Sequence, residues 1–162
     1  MEEHRMSGLT VSAVLESEHR KIDTALAIFM DKLIGGRVQP ELLTTALEAL
    51  RRHIYIEEVF LFPAIPDDRM VMAIGVMLRE HGRLWRTMDT LRGLLTDAKD
   101  VRRLADTCGE LLDQLDQHNS KEEPVIYPQA DHSLAPQKST ELARFIESGH
   151  TPDGWVCRLA RV

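Results

Sequence analysis

The feature that most restricts how this chain can fold is a polar motif occurring twice inside otherwise apolar stripes. His53-Ile54-Tyr55-Ile56-Glu57-Glu58-Val59-Phe60-Leu61-Phe62-Pro63 and His118-Asn119-Ser120-Lys121-Glu122-Glu123-Pro124-Val125-Ile126-Tyr127-Pro128 both read H-x-x-x-E-E-x-x-aliphatic-aromatic-Pro. The dipeptides Glu18-His19 and Glu80-His81 stand upstream of the two copies, with the histidines of each half 34 and 37 residues apart. Two helical hairpins built to one polar plan suggest a duplicated half-site.

Around the motif, apolar residues recur at steps of three and four, which keeps one helix face turned inward. The four stripes are Leu15, His19, Ile22, Ala25 or Leu26, Phe29, Leu33; then Leu43, Ala46, Leu50, His53, Glu57, Phe60; then Ile74, Met77, His81, Leu84, Met88, Leu91, Leu95; then Val101, Leu104, Cys108, Leu111, Leu115, His118, Glu122. A first helix is predicted from about Thr10 to Ile34, stopped by Gly35-Gly36. A second starts near Pro40 and ends before Phe62-Pro63. Asp67 or Asp68 caps a third that reaches about Thr96. The fourth begins near Asp100 and runs to about Glu123, where Pro124 kinks or ends it. A shorter fifth covers Ser139 to Ser148, and Thr151 to Leu159 reads as a turn followed by apolar residues that either cover one end of the bundle or form a partner contact, packing being the preferred role. The expected fold is all-α: one domain, 1–162, with an up-down-up-down four-helix bundle over about 10–128 and a C-terminal extension, 129–162.

Composition narrows the class. Apolar residues make up 43% and charged residues 28%, a globular balance, and a net charge of −6 with interspersed signs leaves no nucleic-acid footprint. No apolar run approaches the roughly 20 residues of a membrane span. Met1 to Arg5 precede no apolar signal region, and Cys108 and Cys157 do not form a CxxC pair, so a cytoplasmic chain with free thiols is expected.

Spacing explains the residue types. Positions i and i+4 lie one helical turn apart on nearly the same face. His53 with Glu57, and His118 with Glu122, therefore offer an imidazole and a carboxylate to one cavity, and His19 and His81 add one imidazole each. Residues equidistant from a hairpin turn sit at one height. The midpoints fall at Gly36, at Asp67, and between Lys99 and Asp100, all in turns, so the four histidines share a layer to within about one turn of 5.4 Å. Six such ligands exceed one tetrahedral zinc site and suit two octahedral ions, with Glu57 and Glu122 bridging and an oxo or hydroxo group between them. The competing reading is a metal-free core of His–Glu pairs, since burying bare carboxylates costs several kcal/mol. His4, His132 and His150 read as solvated, in a terminus or loops.

His first with a step of four distinguishes this pattern from the Glu-x-x-His of ferritin-like bundles. The series His, HxxxE, His, HxxxE over about Thr10 to Pro128 resembles the hemerythrin-like (HHE cation-binding) domains. The resemblance implies a four-helix bundle with a non-haem di-iron centre reacting with O2, peroxide or NO, in oxidative or nitrosative stress. In it His19, His53, His81 and His118 are terminal ligands, Glu57 and Glu122 the bridges, and two iron ions rank ahead of manganese or zinc. Oxygen-carrying hemerythrins have HxxxH in the third helix, whereas here Trp85 stands four residues after His81. That departure favours an open metal position over simple O2 carriage. Trp85 could shape the pocket or fill space. Glu58 and Glu123 could accept from ligand N–H groups, although solvated surface charge is the simpler assignment. The alternative to a peroxide-consuming enzyme is an O2, NO or iron sensor or buffer. Expected partners are a diatomic or peroxide ligand and a redox protein of unknown identity, with no nucleic acid or membrane, for a monomer or weak dimer.

Overall fold

The computed structural model describes residues 10–65, 68–97 and 100–161. Five α-helices carry the described chain: α1 (Val11–Ile34), α2 (Pro40–Ile56), α3 (Val71–Thr96), α4 (Val101–Ser133) and α5 (Pro136–Ser148). No strand occurs among the described residues. Local chemistry sets most boundaries. The Thr10 hydroxyl accepts from the Ala13 N–H at the start of α1, and Asp100 accepts from the Arg103 N–H at the start of α4. Gly36 leaves α1 with φ 86°, a conformation that favours glycine. Pro40 opens α2, where its missing N–H is not needed.

α1 packs against α2 and α4, and α3 packs against α4 and α2. Two apolar clusters fill the interior. One includes Ile22, Phe29, Leu50, Leu84 and Leu115, and the other includes Leu15, Ile56, Met77, Ile126 and Tyr127. Along α1, α3 and α4 the switch from one cluster to the other falls at His19, at His81, and at His118 with Glu122. A polar layer thus divides the core.

Four boundaries differ from the sequence expectation. α4 does not stop near Glu123 but continues through Pro124 and Pro128 to Ser133. Both prolines are exposed; being four apart, they share a face, so the carbonyls they leave unbonded can turn to water. On the opposite side Ile126, Tyr127 and Ala130 are buried, and that packing overrides the local penalty. In α2 the helix widens into a π-turn over Glu57–Leu61, followed by a 3₁₀ turn, Phe62–Ala64. The extra residue in that turn moves the inward position from Phe60 to Leu61, which is fully buried. Asp68 does not cap α3; it begins a 3₁₀ turn, Asp68–Met70, and Met70 stands at the cap without a side-chain bond. Asp67 lies outside the described residues. α5 starts at Pro136, three residues before the expected Ser139. Val101, assigned to the fourth stripe, is 41% exposed. No described helix is long and apolar enough to cross a membrane.

Candidate metal centre

Each of the four long helices brings one histidine to the dividing layer. His19 and His53 have ring centroids 4.5 Å apart, and His81 and His118 are 4.9 Å apart. Glu57 and Glu122 follow His53 and His118 by one turn and are both fully buried. The ligand atoms form two groups, His19–His53–Glu57–Glu122 and Glu57–His81–His118–Glu122, each with all donors within 4.8 Å of one another. The two carboxylates are common to both. Glu57 Oε1 lies 3.2 Å from His81 Nε2 and 3.5 Å from His53 Nε2. Glu122 reaches His19 Nε2 with Oε1 at 3.2 Å and His118 Nε2 with Oε2 at 3.3 Å. A carboxylate that spans two groups in this way can bridge two cations.

The outer nitrogens are all held. His19 Nδ1 donates to Glu123 at 3.0 Å, His53 Nδ1 to Glu18 at 2.7 Å, His81 Nδ1 to Glu58 at 2.7 Å, and His118 Nδ1 to Glu80 at 3.0 Å. Every carboxylate comes from a neighbouring helix and sits next in sequence to a member of the inner six. An acceptor at Nδ1 fixes the ring orientation and directs the basic Nε2 inward, as metal-binding histidines require. Glu58 and Glu123 are therefore not free surface charges: Glu58 is 5% exposed and Glu123 36%, and both are engaged.

Electrostatics show what the layer does without a cation. Burial opposes a charged imidazole, yet Glu57 and Glu18 raise His53 well above its ordinary range, and Glu57 and Glu58 raise His81. Against the same burial, Glu122 and Glu80 raise His118 to about 10. Burial would lift Glu122, but His118 and His19 hold it well below the usual carboxylate range. Glu80 falls to about 2, burial being outweighed by His118 and Lys121. Imidazolium–carboxylate pairing thus carries part of the burial cost. It does not complete it. Glu57 Oε1, His81 Nε2 and Glu122 Oε2 are buried without a hydrogen bond, although His81 Nε2 and Glu57 Oε1 are close enough to attract as charges. Glu57 and Glu122 belong to both groups and His81 to the second alone, and Glu57 and His81 line a cavity of about 10 Å³, the size of one small atom. Orphaned donors aimed at a common space, in a mixed nitrogen and oxygen set, fit divalent or trivalent transition metals.

Sequence reasoning assigned no role to Tyr127, Glu18 or Glu80. The Tyr127 hydroxyl shares its one proton between Glu57 Oε2 at 2.9 Å and Glu122 Oε1 at 3.0 Å, and lies 2.9 Å from His19 Nε2 and 3.2 Å from His53 Nε2. Burial and then the two carboxylates hold that phenol well above its ordinary pKa, so it stays protonated in the metal-free layer. Glu18 and Glu80 could have been found from the repeated Glu-His dipeptide. Trp85 does not line the chamber; Leu84 does. Trp85 is buried beneath the Arg51 guanidinium, 4.6 Å from its ring, and edge-on to Trp155. His150 and His132 are exposed as expected, but His132 stands on α4 rather than in a loop. His4 lies outside the described residues.

Comparison with curated proteins and with solved structures gives no match. A family model described as the hemerythrin HHE cation binding domain matches residues 10–130, a span that holds all six inner side chains and their four outer carboxylates. With most of its length matched, the chain belongs to the hemerythrin HHE cation-binding family.

Proposed function

We propose that this chain is a non-haem di-iron protein that binds or reacts with O2, peroxide or NO, in the handling of oxidative or nitrosative stress. The observation that carries the reading is the sharing of Glu57 and Glu122 by two otherwise separate donor groups. One cation needs no such sharing; two cations a few ångströms apart do. The four helices are read as an up-down-up-down bundle, because chain neighbours pack together and α1 closes on α4.

His19 and His53 would hold one ion, His81 and His118 the other, with Glu57 and Glu122 between them. Bound iron would supply a redox-active, Lewis-acidic centre. The chain's own residues do the rest. Glu18, Glu58, Glu80 and Glu123 keep the Nδ1 protons and set the ring planes. The two apolar clusters exclude bulk water, and the Tyr127 Oη keeps its proton between Glu57 and Glu122. So small a volume leaves no room for a larger substrate, which supports a ligand of diatomic or peroxide size.

Anaerobic loading with ferrous ion should give about two irons per chain. The visible spectrum should change on adding O2 or peroxide, and His81→Ala should abolish any peroxide consumption. A purified protein that retains no iron after loading would sink the reading. The burial of the whole layer also favours a second form of it, a sensor or iron buffer without turnover, working with a redox or signalling partner. That form predicts reversible spectral change with no peroxide consumed.

A further inference from the structure

The segment after α5 lies beyond the family match, yet it is built into the centre from outside. Arg52 donates to the carbonyls of Phe145 and Ile146 at 2.7 and 2.6 Å and to that of Gly149 at 3.3 Å, which anchors the end of α5. Trp155 then packs edge-on against Tyr55 and Trp85, with ring centroids 4.9 and 5.5 Å away. Cys157 and Ala160 are buried in the core, and Arg86 donates to the carbonyls of Leu159 and Ala160. The approach to α3 is so close that a Cβ on Gly82 would stand 2.3 Å from the Leu159 carbonyl oxygen.

The strap ends on a residue of the metal layer. The Arg158 backbone N–H donates to Glu58 Oε1 at 2.9 Å, while Glu58 Oε2 receives His81 Nδ1 at 2.7 Å. One carboxylate therefore connects the tail to one imidazole. The internal repeat supplies a built-in comparison, since Glu123 stands to His19 as Glu58 stands to His81. Glu123 is 36% exposed and receives no backbone N–H among the described residues. The two halves match in the inner six side chains and differ in what holds the outer carboxylate.

We propose that residues 150–161 form a strap that positions Glu58 against His81 and so tightens the metal position formed by His81 and His118, leaving the one at His19 and His53 untouched. The strap acts on metal affinity only if His81 is a ligand, as the reading above holds. Its effect on the His81 ring does not depend on that. Glu58 and Arg158 are positioning residues: neither is asked to touch the ion.

Three variants of the full chain test it. Gly82→Ala lifts the tail by collision with Leu159 while giving α3 a better helix former. Arg158→Pro deletes the donor N–H, and Arg158→Ala keeps it. In the metal-free protein, imidazole ¹⁵N resonances of His81 should move in Gly82→Ala and Arg158→Pro, stay in Arg158→Ala, and those of His19 should stay in all three. In the ferrous-loaded protein, a chromogenic chelator should remove the two equivalents in two phases. The first two variants should speed the slow phase by roughly tenfold or more, the usual scale for losing an outer partner of a ligand. Unmoved His81 resonances in Arg158→Pro overturn the proposal, as does equal acceleration of both phases. A chain that takes up no iron removes the di-iron reading, and the His81 resonances still decide the strap.

Discussion

Phe62 and Tyr127 hold the same place in the two copies of the repeat, yet only Tyr127 brings a polar atom into the metal layer. Its hydroxyl touches both shared carboxylates, whereas the Phe62 ring stacks on His81 with centroids 5.7 Å apart. The consequence is visible in the orphaned atoms. The phenol reaches His19 and His53 of the first group, whereas His81 Nε2, of the second group alone, is buried without a hydrogen bond. The two donor groups are therefore unlike before any metal enters.

Replacing that hydroxyl tests its weight. Tyr127→Phe keeps the ring and its packing but leaves buried carboxylate oxygens without their donor. The metal-free protein should lose about 1–3 kcal/mol, the scale for stranding a buried polar partner. Urea unfolding of metal-free wild type and variant measures it. An unchanged midpoint would mean that the layer rearranges around the missing oxygen.

The shared carboxylates and the single-group histidines should behave differently. Glu57→Ala removes a donor from both groups, so iron content should fall toward zero. His118→Ala removes one from the second group only, and should leave about one iron per chain, held by His19, His53 and the two glutamates. Metal analysis after identical loading separates the cases. Equal losses in both variants would argue against two distinct positions.

Much of this arrangement was legible in the sequence, and the exceptions share a cause. Step counting placed His19, His53, His81 and His118 on inward faces, because a histidine in a stripe of leucines has nowhere else to point. The same counting failed at Phe60, since a π-turn adds a residue that no period of 3.6 contains. It failed again after Glu123. Local rules forbid proline inside a helix, but burial of Ile126, Tyr127 and Ala130 is a tertiary gain that those rules cannot see. Glu58 and Glu123 looked solvated because they point about 100° from Glu57 and Glu122 on their own helices. Their partners sit on neighbouring helices, where helix-by-helix reading does not look. The step from His81 leaves Trp85 open to either pocket or packing, and the Trp155 ring that packs on it belongs to a tail with no signature in the repeat.

The extension of α4 past its prolines has its own anchor. Asp131 accepts from the Ser12 N–H at 3.1 Å and from the Ser12 hydroxyl at 2.5 Å, tying the start of α1 to the last turns of α4. Asp131→Ala should cost about 1 kcal/mol, as for loss of a helix-capping carboxylate, and should speed amide exchange in the first turn of α1. Unaltered exchange at Ser12 and Ala13 would show that Thr10 alone secures that end.

Metal uptake should strengthen as pH rises, and the sign follows from the histidines. In the metal-free layer His118 keeps its proton up to about 10, and His53 and His81 are also raised, where a free imidazole releases it near 6.5. Ligation at Nε2 requires that proton to leave. Between about pH 6 and 8, binding must therefore expel protons, and apparent affinity should climb with pH across that interval. Calorimetric titration with a divalent cation in buffers of different ionisation enthalpy counts the protons released. The linked stability runs the other way. A folded pKa raised above the unfolded one gives His118 a stabilising contribution that is complete below about 6.5 and fades as pH passes through about 10. Metal-free protein should accordingly lose stability on the alkaline side before the loaded protein does. Binding that releases no protons would mean that the inner imidazoles were already neutral, and would remove the ion pairing inferred for the polar layer.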